Sequence, residues 1–232
     1  MKLERPYTVL KMAAVISCFS LCTVSKVQAQ AVDSSYHNYL YDSRVAYFQQ
    51  LLPVKKAIVF WGDSITDWGD WAELLNFKRA INRGIAGDNT YGLRARLDEV
   101  LRHDPKKLFI LIGTNDINKK IPVANIVDNY KKIILEVKRR SPGTSIYVQS
   151  VFPINNQLIG RQYYIGTNEQ ILELNKALQS MAAELQVRYV AVYGQLLDAR
   201  EQLDARYTYD GLHLSGLGYQ AWVNYLKQQR LL

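Results

Sequence analysis

The segments Gly62-Asp63-Ser64 and Tyr209-Asp210-Gly211-Leu212-His213, near opposite ends of the chain, carry the residue types of acyl transfer. A serine hydroxyl is a weak nucleophile until a base takes its proton, and a neutral imidazole, with a free pKa of about 6.5, does this near neutral pH. The imidazole needs an acceptor on its second nitrogen to fix its tautomer and to stabilise the imidazolium. Asp210 precedes His213 by a spacing that puts both side chains on one turn of one loop. Ser64, His213 and Asp210 are therefore candidates for nucleophile, base and orienting acid.

The oxyanion formed when a hydroxyl attacks a carbonyl needs donors already in place. Gly84-Ile85-Ala86-Gly87-Asp88 and Gly113-Thr114-Asn115-Asp116 supply candidates. These are the backbone N–H groups of Ser64 and of Gly87 or Gly84, and the uncharged NH₂ of Asn115. Asp63, Trp68, Phe152, Tyr163 and Tyr164 are candidate substrate-binding residues. Each piece alone has a plainer reading. Asp63, Ser64, Asn115 or Asp116 could cap a helix, the glycines could make a tight turn, and His213 could pack between Leu212 and Leu214. Their joint occurrence, in order and each beyond an apolar run, favours the chemistry.

Those apolar runs predict strands at Ala57–Trp61, Arg79–Asn82, Leu108–Ile112, Ile146–Val151 and Tyr189–Val192. Helical patterns cover Tyr36–Leu52, Trp68–Leu75, Tyr91–His103, Val123–Arg140, Asn168–Gln186 and Ser215–Gln229, and Thr167 with Gln170 has capping-box spacing. Strand followed by helix, repeated, implies a doubly wound α/β sheet, and the nearly continuous apolar run of Leu108–Ile112 suits a parallel strand covered on both faces. In such a sheet ligands bind outside the carboxyl ends of the strands, where all the polar blocks fall. The long irregular stretch from Pro153 to Gly166 is a candidate selector of substrate.

The N-terminus reads as a signal peptide: Lys2, Arg5 and Lys11 precede an apolar run from Met12 to Val24, and Val27-Gln28-Ala29 forms a cleavage site. Cleavage after Ala29 would leave 30–232 as a single exported domain. Val15-Ile16-Ser17-Cys18 resembles a lipoprotein box and offers Cys18 as an alternative, lipidated start. No segment reaches the roughly 20 apolar residues of a membrane span. Cys18 and Cys22 both lie in the leader, so disulfides are not expected to hold the domain. The leader carries Lys2, Arg5, Lys11 and Lys26 against Glu4, so the net charge of +8 becomes +5 on its removal. Lys131-Lys132 and Lys138-Arg139-Arg140 fall on a helical pattern, as a solvated face would, and no nucleic-acid partner is expected.

Together the four blocks, from Gly62 to His213, resemble the motif blocks of the SGNH (GDSL-like) hydrolase family. NRGIAGDNTYGLRARL, FILIGTNDI and YDGLHLSGLGY are especially similar to the branch containing platelet-activating-factor acetylhydrolase catalytic subunits and bacterial carbohydrate acetylesterases. The resemblance implies a flavodoxin-like three-layer α/β/α sandwich around a five-stranded parallel sheet. It implies Ser64 as nucleophile, His213 as base, Asp210 as third triad member, and an oxyanion hole of Ser64, Gly87 and Asn115, with no cofactor and no metal. Gly87 is preferred to Gly84 because the family's glycine directly precedes an aspartate, here Asp88. The G-x-S-x-G elbow of α/β-hydrolases is missing.

The expected activity is hydrolysis of short acyl esters, acetyl foremost, on carbohydrates, with a lysophospholipid or other lipid ester as the alternative. A metal-dependent phosphoesterase would draw on Asp63, Asp67, Asn115, Asp116, Asp210 and His213. Such sites usually use several imidazoles, and the only histidines are His37, His103 and His213. A non-catalytic glycan-binding protein would use Trp61, Trp68 and Trp71. The intact Ser64, Asp210 and His213 set favours an enzyme.

Overall fold

The computed structural model divides the chain into Met1–Ala31 and Val32–Leu232, and describes Met1, Leu3 and residues 32–232. The expected leader, its cleavage point and both cysteines lie outside the described residues. In the second unit, helix α1 (Tyr39–Gln50) is capped by the Asn38 side chain and ends before Pro53. Strand β1 (Ile58–Gly62) leads through Asp63 into the single turn α2 (Ser64–Asp67), then α3 (Trp71–Leu74) and β2 (Ala80–Gly84). Next come α4 (Thr90–Ala95), α5 (Leu97–Leu101), β3 (Lys107–Leu111), α6 (Thr114–Asn118), α7 (Val123–Arg140) and β4 (Ser145–Gln149). The chain finishes with α8 (Asn168–Glu184), β5 (Arg188–Val190) and α9 (Gly216–Gln228). No helix among the described residues is long and apolar enough to cross a membrane.

The five strands form one parallel sheet in the order β2-β1-β3-β4-β5, as expected. Adjacent strand residues serve opposite faces. Val59 and Trp61 join Ile110 and Val148 under α4, α5, α7 and α8, whereas Phe60, Phe109 and Leu111 lie under α3 and α9. On the second face Phe60 stacks on Trp71 at 3.6 Å between centroids, and Trp222 meets Trp71 edge-on at 4.7 Å. Such aromatic pairs add about 0.5–1.5 kcal/mol each beyond burial.

Gly62 pairs in register with both Gly84 and Leu111, so the carboxyl ends of β1, β2 and β3 finish level. Strand order reverses between β1 and β3, which opens a crevice at that rim. Irregular backbone beside it is held by side chains. Tyr130 of α7 hydrogen-bonds both the N–H and the carbonyl of Ile112. Asn175 and Asn168 of α8 do the same for Val151 and Ile154, which satisfies buried polar groups that no strand partner reaches.

Two expected helices are altered. Tyr91–His103 divides at Arg96, whose side chain turns inward instead of lying on a helix surface. Trp68–Leu75 is shortened to Trp71–Leu74, because Asn82 of β2 donates to the carbonyls of Thr66, Asp67 and Gly69, and the Trp71 indole also donates to Thr66, so these carbonyls do not extend a helix. The short helix α6, formed by the GTND block, was not anticipated. The capping box of Thr167 and Gln170 is present as read from the sequence.

Candidate active site

Asp63 accepts from the Ile65 N–H through Oδ1 at 3.0 Å and caps α2, which makes Ser64 the first helical residue. The N–H of a first helical residue has no partner within its helix, so that of Ser64 is left free of the α2 hydrogen bonds. Across the rim, Asp210 Oδ1 accepts from the N–H groups of Leu212 and His213, both at 2.8 Å, folding the loop back so that Asp210 Oδ2 meets His213 Nδ1 at 2.6 Å. His213 Nε2 is 2.9 Å from Ser64 Oγ. An ionised carboxylate only accepts, so the proton lies on Nδ1 and Nε2 is left to accept from the serine hydroxyl.

Partial burial opposes ionisation of Asp210. Hydrogen bonds from the His213 ring and from the N–H groups of His213 and Leu212 outweigh it and hold the carboxyl below its usual value. Thr208 fixes the same loop: its hydroxyl donates to the His213 carbonyl at 2.7 Å and accepts from the Gly211 N–H at 2.9 Å.

The two glycines of the second block differ in surroundings. Gly84 packs beneath α2, where a Cβ would lie 2.1 Å from Asp67 N, and its own N–H is taken by Asn82 Oδ1 at 2.7 Å. Gly87 has φ of +79° and open space where a Cβ would stand. Backbone conformation, not crowding, therefore requires glycine there. Asn115 Nδ2 donates to the carbonyl of Asp88 at 2.9 Å, which brings the third block against the second and leaves its other amide hydrogen available.

Behind these groups lie three buried carboxyls. Asp88 pairs with Arg96 Nε at 2.8 Å, and the same guanidinium donates to the carbonyls of Arg83 and Gly62, both at 2.9 Å. Asp116 accepts from the Thr90 N–H and hydroxyl and so anchors the start of α4. Burial pushes Asp88 and Asp116 up to about 6 and Asp63 up to about 8. Arg96 was missed in the sequence, where it reads as one more basic residue of a helix. The inward i−8 partner Asp88 was the available signal.

Of the residues suggested for substrate binding, Trp68 and Tyr163 are exposed at the rim. Phe152 and Tyr164 are corrected to core positions: Phe152 packs edge-on against Trp222 at 4.8 Å, and Tyr164 is buried with the α7 and α8 cluster. Trp61 and Trp71 are buried as well, so neither presents a face to a sugar. Asp63 is sealed behind Ser64 and acts as a cap. Tyr163 helps to line a mainly apolar cavity of about 380 Å³ with Leu158, Ile159, Leu212 and His213. A second groove, of about 630 Å³, runs past Trp68 and Tyr209 with Asp70, Glu73 and Gln220.

Of the carboxylates in the metal reading, Asp67 is paired with Arg44 at 3.1 Å and Asp210 with His213. His103 is buried away from the rim, where Nδ1 accepts from Val54 N–H and Nε2 faces Glu99.

A family model described as the GDSL-like lipase/acylhydrolase family matches residues 60–221, which includes every block of the site. The chain belongs to the GDSL-like lipase/acylhydrolase family. It is 27% identical over 195 residues to platelet-activating factor acetylhydrolase IB subunit alpha1 of Homo sapiens, covering 80% of this chain and 77% of that protein. Among solved structures it is similar to a Streptococcus pneumonia chain described as a candidate platelet activating factor, with a TM-score of 0.74 and 36% identity over 82% of this chain and 92% of the other. An acetylxylan esterase from Geobacillus stearothermophilus shares the fold, with a TM-score of 0.61 and 20% identity over 76% and 94% of the two chains. As a GDSL-like acylhydrolase, the protein is an ester hydrolase.

Proposed function

We propose that this GDSL-like acylhydrolase is an exported serine esterase that removes short acyl groups, acetyl foremost, from carbohydrates. The observation that carries the reading is the continuous hydrogen-bonded path from Ser64 Oγ through the His213 ring to Asp210. His213 Nε2 takes the hydroxyl proton as Ser64 Oγ attacks the ester carbonyl. The N–H groups of Ser64 and Gly87 and the Asn115 amide receive the oxyanion, and the imidazolium returns its proton to the leaving alcohol. Water, deprotonated by the same imidazole, then attacks the acyl-enzyme and releases the acid. Ser64→Ala is expected to lower kcat on p-nitrophenyl acetate by roughly three orders of magnitude or more with the fold intact. A variant as fast as the wild type would falsify the reading.

The acetyl preference draws support from the acetylhydrolase named among the relatives. The carbohydrate preference draws support from the open groove that sets exposed aromatic rings of Trp68 and Tyr209 among polar side chains. A lipid ester is the second reading, favoured by the apolar cavity beside His213. That cavity lies near the lower end of the roughly 300–1,000 Å³ of small-molecule sites. Rates on p-nitrophenyl esters from acetate to palmitate, beside acetate release from acetylated xylan, separate the two. A preference for long chains would reverse the order. Export is tested by N-terminal sequencing of protein recovered outside the cytoplasm, with Gln30 the expected first residue.

A further inference from the structure

Trp68 stands four residues after Ser64, and its N–H donates to the Ser64 carbonyl at 3.1 Å, closing the single turn of α2. Its indole lies against the imidazole of His213, with centroids 4.0 Å apart and planes 22° from parallel. One turn of helix thus carries both the hydroxyl that His213 would deprotonate and the shelf on which His213 rests. Ser64 meets the ring at Nε2, Asp210 meets it at Nδ1, and Trp68 covers a face. Hydrogen bonds in the plane of a ring leave tilting about the axis between the two partners weakly opposed. A ring stacked on the face opposes it.

The contact also changes in strength during the reaction. While His213 is neutral, the pair is an ordinary aromatic stack. When it takes the serine proton, a cation lies over the indole face, and the attraction between the two rings grows. An interaction stronger in the transition state than in the ground state lowers the barrier instead of only tightening binding.

We propose that Trp68 is a positioning residue for His213, holding the imidazole in the plane of the Ser64–Asp210 path and favouring its protonated form as Ser64 attacks. The proposal rests on the reading of His213 as the base. It differs from a role as a platform for sugar, because it requires no sugar in the substrate. An exposed tryptophan, 53% accessible, that served only to fill space would be replaceable by any apolar side chain of similar bulk.

The test compares Trp68→Phe, which keeps an aromatic face, with Trp68→Leu, which keeps bulk without one, on p-nitrophenyl acetate. Trp68→Met serves the same comparison if the Leu variant fails to melt cooperatively. Trp68→Phe is expected to stay within about threefold of wild-type kcat. Trp68→Leu is expected to lose roughly 3- to 30-fold in kcat while KM stays within about twofold, the range that such a cation–aromatic contact supplies. Equal kcat in the Phe and Leu variants, a change confined to KM, or a loss seen only on acetylated xylan would overturn the proposal. His213→Ala is run beside them. Full activity in that variant removes the reading of His213 as base, whereas an inactive His213→Ala beside a fully active Trp68→Leu removes the role of Trp68 alone.

Discussion

The carbonyl of Gly211 accepts a hydrogen bond from the Asn155 N–H at 2.8 Å, joining the loop that carries Asp210 and His213 to the irregular segment after β4. Gly211 has φ of +87°, and a Cβ there would lie 2.7 Å from Ile159 N and 2.8 Å from Asn155 O. The segment from Pro153 to Gly166 therefore buttresses the Asp210–His213 loop as well as lining a cavity. Gly211→Ala should destabilise the protein by about 1–3 kcal/mol through backbone strain, and should lower kcat by displacing His213 from Ser64. Denaturant unfolding together with kinetics on p-nitrophenyl acetate measures both, and a variant unchanged in each would show that the close contact places no demand on the loop.

Asp210→Asn tests the proton assignment with little change of shape. An asparagine oxygen can still accept from the N–H groups of Leu212 and His213, so the loop should keep its turn. Its NH₂, turned toward Nδ1, would donate where a carboxylate accepts, and would favour the tautomer whose Nε2 carries a hydrogen and cannot take the serine proton. The expected loss in kcat is roughly two to four orders of magnitude near neutral pH, with melting little changed. A loss below tenfold would show that Asp210 does not set the tautomer.

The parallel sheet and the four polar blocks at its carboxyl rim were legible because each rests on local signals: apolar runs of strand length, glycines after them, and a short Asp210-to-His213 spacing. What stayed hidden depends on partners distant in sequence. No local pattern says that Asn82 will take the carbonyls after Ser64, or that Arg96 will turn inward and divide a helix. Aromatic residues beside a long irregular loop suit substrate binding, which is what the sequence suggests for Phe152 and Tyr164. Trp222 and the α7 and α8 cluster take them into the core instead. That the Gly84 N–H is bound by Asn82 Oδ1 and that Gly87 has positive φ are likewise matters of backbone geometry that no local pattern carries.

The buried carboxyls behind Ser64 should make the fold less stable as pH rises. Burial, with the nearby Asp88 and Asp116 adding to it, pushes Asp63 up to about 8, while burial pushes Asp88 and Asp116 up to about 6. An unfolded aspartate titrates near about 3.9, so above that pH the folded state holds protons that the unfolded state has lost. Their contribution is complete below about pH 4 and declines as pH rises through about 6 and then about 8. Asp210 acts in the opposite sense: its carboxyl is held below the usual value, so its contribution is present above the unfolded value and disappears as pH falls through the folded one. The melting temperature should fall between about pH 5 and pH 9. Asp63→Asn, which keeps an oxygen for the Ile65 N–H, should flatten the upper part of that fall. The same slope in variant and wild type would mean that Asp63 is already ionised in the fold.

Arg96 ties the rim together, because one guanidinium reaches the ends of β1 and β2 and the loop that holds Gly87. It donates to the Gly62 and Arg83 carbonyls and pairs with Asp88 in a site almost closed to water. Removing one member of a buried pair leaves an uncompensated charge, at a cost of about 3–5 kcal/mol, whereas removing both charges is far less damaging. Arg96→Met should therefore destabilise the protein by about that amount, and Arg96→Met with Asp88→Asn should recover part of the loss. Activity should recover less than stability does, since neither variant restores the donors to Gly62 and Arg83 that hold Ser64 and the Gly87 loop in place. Unfolding free energies and kcat for the single and double variants decide the matter. If Arg96→Met alone is as stable as wild type, or the double variant is less stable than the single by the full Asp88→Asn penalty, the guanidinium does not compensate Asp88. The rim must then be held by the strand ends alone.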